Sequence, residues 1–267
     1  MSDTAVAHGH HQELGFTRTY LFSLDHKMIG RQFLFAGLFM ILIGGLLAMM
    51  VRWQLAWPET PGRHMVYHED SLTHPGTRVV QRIEDVTPFH GGFRALFSHG
   101  RMTHAVAALL GEPAALFKDK INLKLPGGDG FKAHQDAQAG WNIYAKYYIT
   151  ALVSIDAASA ENGCLEMAAG WHRQGLVGNE WTPLGEGETA GMEFVSYPTA
   201  PGDAMFFDSY TPHRSGPNLT DMARRVLYVT YNRAAEGDHR VRYFADKREN
   251  FPPDIVRDPG KTYVFRV

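Results

Sequence analysis

The sequence has a single cysteine and no marked excess of charge of either sign. Cys164 is the only thiol among 267 residues, so no disulfide can form within the chain, which is typical of proteins from a reducing compartment. The 26 basic and 28 acidic residues leave a formal net charge of -2, and a nucleic-acid partner is excluded because no broad cationic surface results. Internal repeats and low-complexity tracts are also absent, so repeat architectures are excluded.

One long hydrophobic run is present near the N-terminus. It covers residues 33–51, which are 19 residues without a charge, and at ~1.5 Å per residue it nearly spans a hydrocarbon core of ~30 Å. Arg31 and Arg52 flank the run, and Trp53 and Trp57 follow it, as is common at a membrane–water interface. The run therefore predicts a single transmembrane helix, with a buried core helix as the alternative.

The chain is expected to divide near residue 60. Residues 1–60 contain a polar tail and the apolar helix, and residues 61–267 contain a globular domain. In that domain, short runs rich in β-branched and aromatic residues are separated by Gly, Pro and Asn, which favours a mainly β fold of the sandwich or jelly-roll type with flanking helices. The predicted elements are strands over 78–83, 114–125, 147–155, 164–167, 204–208 and 226–231, and a helix over 102–110.

His134 and Asp136 form the strongest candidate metal pair. On a strand, residues i and i+2 point to the same side, so the imidazole and the carboxylate could bind one metal ion. A third ligand would complete a face of two histidines and one carboxylate that leaves positions open for oxygen and a co-substrate, and His213 is the best candidate. His68 and Asp70 form a rival pair with the same spacing, but they precede a Ser/Thr/Pro/Gly loop, and we expect them in a solvated surface segment.

Arg224 follows His213 by 11 residues and precedes a predicted strand over 226–231. A guanidinium inside an apolar barrel is costly unless an anion meets it, and a dicarboxylate co-substrate would supply that anion. Arg225 would point the other way on a strand, so only one of the two arginines can face inward. The alternative is that Arg224 lies on the surface and pairs with Asp221.

Several motifs together resemble the phytanoyl-CoA dioxygenase family. They are FKDKINLKLPGGDGF at 117–131, KAHQDAQAGW at 132–141, NGCLEMAAGWH at 162–172 and PHRSGPNLTDMARR at 212–225. The tail over 243–267 is similar to that of bacterial members, including those that act on 2-aminoethylphosphonate. The resemblance covers about residues 65–267. It implies a double-stranded β-helix, a form of jelly roll, and an Fe(II)- and 2-oxoglutarate-dependent dioxygenase that uses O2 to hydroxylate a small molecule.

The same resemblance implies roles for individual positions. His134, Asp136 and His213 would bind Fe(II), and Asp136 favours hydroxylation because halogenating relatives lack that carboxylate. 2-Oxoglutarate would be decarboxylated to succinate and CO2. Each aromatic position implied for the substrate pocket fits an ordinary hydrophobic core equally well. The implied co-substrate contacts are Asn122, Ser215, Arg224, Lys120 and Gln135, and the implied aromatic pocket residues are Trp141, Phe207 and Tyr228. Lys118 and Arg233 could face an anionic group, but we expect both on the solvated surface.

The N-terminal part resembles a different family. Residues 20–58 are similar to the first transmembrane helix of subunit I of haem-copper cytochrome oxidases, through SLDHKMIG, GG and RWQL, without the later helices that ligate haem there. The globular domain would then lack the helix and strand with which phytanoyl-CoA dioxygenase relatives begin. Two localisations follow, membrane-anchored or cytoplasmic. The functional alternatives to an active dioxygenase are an inert fusion held in a membrane and a barrel enzyme without a keto-acid co-substrate. The oligomeric state cannot be read from the sequence.

Overall fold

Two compact units make up the chain, Met1–Pro58 and Glu59–Val267. The computed structural model describes residues 15–22, 24–56 and 62–263. Most of the predicted N-terminal tail, Trp57 and most of the predicted joint near residue 60 lie outside the described residues, and so do residues 264–267.

The first unit contains one long helix, α1 (His26–Ala56), which a π-helical turn over Thr17–Leu21 precedes. Its 31 residues extend beyond the predicted run at both ends. No proline interrupts them, so the backbone hydrogen bonds of the helix can continue without a break. None of the residues of His26–Leu47 is buried, and this 22-residue stretch is long and apolar enough to cross a membrane.

Over residues 62–263, ten strands form two antiparallel sheets. The strands are β1 (Met65–Asp70), β2 (Arg78–Glu84), β3 (Ala114–Lys124), β4 (Phe131–His134), β5 (Tyr148–Ser154), β6 (Leu165–Ala168), β7 (Phe194–Tyr197), β8 (Ala204–Asp208), β9 (His213–Ser215) and β10 (Arg224–Arg233). The larger sheet has the order β1-β2-β3-β10-β5-β8, and the smaller has the order β4-β9-β6-β7. This arrangement confirms the expectation of a sheet-rich domain.

Helices α2 (Gly91–Ser98), α3 (Arg101–Leu110) and α5 (Arg240–Asn250) pack on the larger sheet. A short helix, α4 (Glu186–Thr189), lies between β6 and β7 in the chain. Phe97 of α2 and Val106 of α3 pack with side chains of β5 and β10 in one buried cluster. Tyr243 and Phe244 of α5 pack with Phe117 of β3 in a second cluster. Burial of these apolar faces stabilises the helices on the sheet, at about 25 cal/mol per Å² of apolar surface.

The central strand β10 is apolar on both faces because both faces are covered. Leu227 and Val229 pack toward the helices, and Val226 and Tyr228 pack toward β6 and β8. Hydrogen bonds to β3 on one side and β5 on the other fix its register. The near-continuous hydrophobic run of this strand follows from that position.

The predicted strands and the predicted helix have counterparts in the structure, with shifts of one or two residues at most ends. The strand predicted over 226–231 is longer, because Arg224 and Arg225 still pair with β3. Three of the shortest strands, β4, β7 and β9, were not predicted, since three or four residues give too little pattern. The predicted surface position of His68–Asp70 is confirmed for Asp70, which is exposed at the end of β1, but His68 and Glu69 are half-buried in that strand.

Candidate metal and co-substrate site

Three possible metal ligands converge at one edge of the smaller sheet. His134 ends β4, His213 begins β9, and the two residues pair directly across the sheet with ring centroids 4.3 Å apart. Asp136 begins a 3-10 helix, so the expectation that it shares a strand with His134 is wrong: β4 has already ended. The three side chains still offer ligand atoms that lie within 4.8 Å of one another.

Backbone carbonyl groups orient both imidazoles. The Nδ1 atom of His134 lies 2.7 Å from the carbonyl oxygen of Lys132, and Nδ1 of His213 lies 2.9 Å from that of Thr211. Because a carbonyl oxygen can only accept, each Nδ1 carries the proton and donates it. The Nε2 lone pair of each ring is therefore left for a metal ion, as in many histidine metal sites.

A hydroxyl pair from the larger sheet supports the carboxylate of Asp136. The Thr150 hydroxyl donates to its Oδ2 at 3.3 Å, and the hydroxyls of Thr150 and Thr230 lie 2.9 Å apart. Burial acts to raise the pKa of Asp136, but the neighbouring His213 and Lys120 outweigh it and hold the pKa below its usual value. The carboxylate is therefore charged at neutral pH.

Both imidazoles are neutral at neutral pH. Burial, followed by the neighbouring His213, lowers the pKa of His134 to about 3. Burial also lowers the pKa of His213. Two neutral imidazoles and one carboxylate are the donor set that suits Fe(II) with open coordination positions. All three groups are thus in the protonation state that metal binding requires, and the residues fit the ion.

Arg224 and Asn122 form a buried polar pair next to this centre. Arg224 is 1% exposed, and its Nε donates no hydrogen bond among the described residues. The Oδ1 atom of Asn122, on the neighbouring strand β3, also has no partner there. The surface alternative, pairing with Asp221, is wrong for Arg224. Arg225 points the other way and pairs with Asp156 at 2.7 Å, as strand alternation predicts.

A second cation lies beside Arg224. Lys124 pairs with it in register, and the Lys124 ammonium donates to the Ser215 hydroxyl at 2.7 Å and to the carbonyl of Gly216. Burial, followed by the charge of Arg224, lowers the pKa of Lys124 to about 7. Over residues 62–263, no carboxylate lies within ion-pair distance of Arg224 or Lys124. Two neighbouring buried cations without such a partner favour an anionic ligand at this end of the site.

The Lys120 side chain acts on the metal ligands His134 and Asp136, whereas the Gln135 side chain is directed elsewhere. The Lys120 ammonium is 4.7 Å from the ring centroid of Tyr228, and burial lowers its pKa to about 8. The Gln135 amide is fully used elsewhere: it donates to the carbonyls of Gly175 and Tyr210 and accepts from Val177. The expectation of a co-substrate contact through Gln135 is thus corrected, since its side chain fixes two loops.

The three aromatic candidates lie around the site in different ways. The Phe207 ring centroid is 5.1 Å from that of His213, and Phe207 and Tyr228 share a buried cluster between the sheets. Trp141 lines the cavity next to His134 and Asp136. Gly140 makes this possible, because its φ of 70° suits glycine and a Cβ there would lie 2.4 Å from Trp181.

The rival pair is not assembled as a metal site. His68 Nδ1 lies 3.1 Å from Asp254, which also pairs with Arg78 and Arg257. Asp70 lies at the exposed end of β1. His68 is thus tied to the C-terminal segment.

The cavity beside the metal ligands has a volume of about 690 Å³. Lys118 lines it and is only 8% exposed, so the expectation of a solvated surface position is wrong. Sequence reasoning also missed Thr150, Arg82 and Lys247. Strand alternation could have found Lys118, because Lys118, Lys120, Asn122 and Lys124 occupy successive same-face positions of β3, two residues apart.

Known proteins resemble this chain over the same region. The sequence model of the phytanoyl-CoA dioxygenase family (PhyH) matches residues 52–226. A 2-aminoethylphosphonate dioxygenase of Uncultured bacterium HF130_AEPn_1 is 43% identical over 210 residues, which are 78% of this chain and 79% of the relative. A methylphosphonate hydroxylase of Gimesia maris is 44% identical over 197 residues, 73% of this chain and 74% of the relative.

Solved structures share the fold at lower identity. The epimerase SnoN, in complex with Fe3+, alpha ketoglutarate and nogalamycin RO, has a TM-score of 0.56 at 21% identity and covers 82% of this chain and 84% of its own. EctD from S. alaskensis with 2-oxoglutarate and 5-hydroxyectoine has a TM-score of 0.55 at 20% identity, with 72% and 68% covered. The family model and the two relatives confirm the family and the enzyme class, and these structures show the fold. These similarities do not bear on the resemblance of residues 20–58 to an oxidase helix, which stays a prediction.

Proposed function

Since the chain belongs to the phytanoyl-CoA dioxygenase family and is a non-haem iron, 2-oxoglutarate-dependent dioxygenase, we propose that it hydroxylates a small organophosphonate at a centre formed by His134, Asp136 and His213. The convergence of these three side chains is the observation that carries the proposal. Bound there, Fe(II) would supply the redox chemistry by which one oxygen atom of O2 enters the succinate formed on decarboxylation of 2-oxoglutarate, with release of CO2, and the other is inserted into a substrate C–H bond.

The protein groups bind and orient the reactants. Arg224 and Lys124 would bind the distal carboxylate of 2-oxoglutarate, with Asn122 and Ser215 beside it. The unpartnered Nε of Arg224 supports this role, because a buried guanidinium needs an anion. Lys120 would balance negative charge between that carboxylate and the metal face. The rings of Phe207 and Tyr228 exclude water from the space between the sheets.

Two features support hydroxylation within a double-stranded β-helix. Asp136 is present and oriented by Thr150, so the third ligand position is filled by a carboxylate rather than left for a halide. The two antiparallel sheets share a buried cluster that includes Leu152, Leu165 and Val226, as in a jelly roll. The substrate class rests on the two phosphonate-oxidising relatives, each more than 40% identical.

The test uses the purified full-length chain with methylphosphonate as the candidate substrate. We expect succinate release only with Fe(II), 2-oxoglutarate and O2 together, and a weak visible charge-transfer band when Fe(II) and 2-oxoglutarate are mixed anaerobically. His134→Ala should abolish both signals. His104→Ala, on the exposed side of α3, is the matched control and should leave both unchanged. Undiminished succinate release by His134→Ala would refute the assignment of the metal ligands.

A further inference from the structure

The cavity beside the metal ligands carries a large excess of positive charge. Among its lining residues, six are lysine or arginine and two, Glu84 and Asp136, are carboxylates. Asp136 belongs to the metal face. A cavity with this balance attracts an anion and would repel a cationic ligand.

Two of the cations already share one partner. The Arg82 Nε lies 2.8 Å from Glu84, and the Lys247 ammonium lies 2.5 Å from the same carboxylate. Burial acts to raise the pKa of Glu84, but Lys247, Lys118 and Arg82 outweigh it and hold the pKa well below its usual range. Arg82, Lys247 and Glu84 thus form a wall in which two basic side chains surround one carboxylate.

Lys118 differs from Arg82 and Lys247, because no carboxylate of the described residues lies within ion-pair distance of its ammonium. It is 8% exposed, and its ammonium makes no hydrogen bond or ion pair with any of the described residues. It lies 5.2 Å from the ring centroid of Trp141 and 5.8 Å from that of Tyr243. The ammonium therefore lies beside these rings on the wall of the cavity, where an anionic ligand can reach it.

2-Oxoglutarate cannot be that anion if Arg224 binds its distal carboxylate. Arg224 pairs with Lys124, six residues along β3 from Lys118. At about 3.3 Å per residue, these positions are about 20 Å apart along the strand, which is more than a five-carbon diacid can reach. Lys120, two residues closer, acts on Asp136 more strongly than Lys118 does and also acts on the imidazole of His134. Lys118 therefore serves a second anion.

We propose that Lys118, backed by Arg82 and Lys247, is the subsite for the phosphonate group of the substrate. The proposal rests on the proposed function and extends it to the residues that select the substrate. Lys118, Arg82 and Lys247 place three basic groups against one carboxylate, Glu84, and such a surface favours a phosphonate dianion. A sulfonate of the same shape carries one negative charge fewer than that dianion and is attracted less strongly.

Binding of methylphosphonate to the full-length, metal-free protein is the first measurement, by phosphorus NMR line broadening and by calorimetry. Lys118→Met should weaken binding about 10- to 100-fold, the range for loss of a charged hydrogen bond. Lys118→Arg should recover most of the affinity. Methanesulfonate should bind at least about tenfold more weakly than methylphosphonate to the unsubstituted chain, for loss of one charge contact. Lys146→Met, an exposed lysine outside the cavity, is the matched control.

The second measurement separates this subsite from the co-substrate site. The affinity for 2-oxoglutarate, read from the charge-transfer band of the anaerobic Fe(II) complex, should be the same in Lys118→Met and the unsubstituted chain. In turnover, the KM for methylphosphonate should rise far more than kcat falls. Lys118→Met should also melt no lower than the unsubstituted ligand-free protein, because an unpaired buried charge has been removed.

The outcomes are distinguishable. Unchanged methylphosphonate binding in Lys118→Met overturns the subsite, and so does a loss of 2-oxoglutarate affinity in that variant. Equal binding of methanesulfonate overturns the dianion argument. If no charge-transfer band forms in the unsubstituted chain but methylphosphonate binding still depends on Lys118, the proposed dioxygenase function fails and the subsite stands.

Discussion

Replacement of Arg224 by methionine tests the co-substrate site most directly. Methionine keeps an unbranched chain of similar length in the same buried position and removes the guanidinium. Because Arg224 is 1% exposed and its Nε has no partner among the described residues, its charge is uncompensated without 2-oxoglutarate. We therefore expect little loss of stability in the ligand-free variant and a large loss of co-substrate affinity.

The size of the loss follows from the burial of the pair. Removal of one partner from a buried, hydrogen-bonded charge pair costs about 2–5 kcal/mol, which is about a 30- to 4,000-fold rise in the Kd for 2-oxoglutarate. At a concentration of about 100 times the original Kd, 2-oxoglutarate should stabilise the unsubstituted protein by about 2.7 kcal/mol. With a Kd at least about 30-fold higher, the same concentration stabilises the variant by about 0.9 kcal/mol or less.

Thermal melting of the manganese-loaded protein measures this difference without turnover. For a unit of this size, about 1 kcal/mol corresponds to about 2–4 °C, so the 2-oxoglutarate-induced shift should fall from about 5–11 °C to below about 4 °C. Arg225→Met is the matched control, since Arg225 is adjacent, half-exposed and paired with Asp156 on the opposite face. An unchanged shift in Arg224→Met, or an equal loss in Arg225→Met, would refute the reasoning.

Four further predictions concern the metal ligands and other parts of the chain. Binding of Mn(II) at neutral pH should release almost no protons, because the pKa of His134 is about 3 and Asp136 is already charged; a calorimetric enthalpy that varies between buffers would contradict this. The metal-free protein should also lose stability as the pH falls below ~6.5, because the unfolded chain then binds protons at histidines that stay neutral in the folded protein. A urea midpoint that does not change below this pH would contradict the prediction. Gln135→Leu removes three hydrogen bonds, which should lower the free energy of unfolding by about 1–3 kcal/mol per unsatisfied group, and with it the urea midpoint. The Kd for 2-oxoglutarate should not change. An unchanged midpoint with a raised Kd would return Gln135 to the co-substrate site. We propose that α1 anchors the chain in a membrane. The full-length chain should then stay in the membrane fraction after carbonate extraction, and the double variant Leu38→Lys/Ile41→Lys should be released. Equal release of the two proteins would refute the anchor.

Local sequence patterns determined much of this protein. The 2-residue repeat of a strand placed Arg224 inward and Arg225 outward, and the structure confirms both orientations. The ordered motifs indicated the family, which the matches over residues 52–226 confirm. Continuous apolar character marked β5 and β10, because strands covered on both faces need no polar alternation.

Other features depend on contacts between residues far apart in the chain. The sequence could not show that His134 pairs with His213, since 79 residues and several strands separate them. Gln135 looked like a ligand-site residue from its neighbours, but three loop groups that only the folded chain brings near occupy its amide.

Lys118 shows the same division between sequence and fold. Its position on the inward face of β3 follows from alternation. Whether an inward lysine is paired depends on what α5 and the Asp136–Ala139 helix place around it. Local backbone geometry is encoded within a few residues, so the sequence determines which way a side chain points. The charges and rings that it meets come from distant segments, and only the tertiary structure decides them.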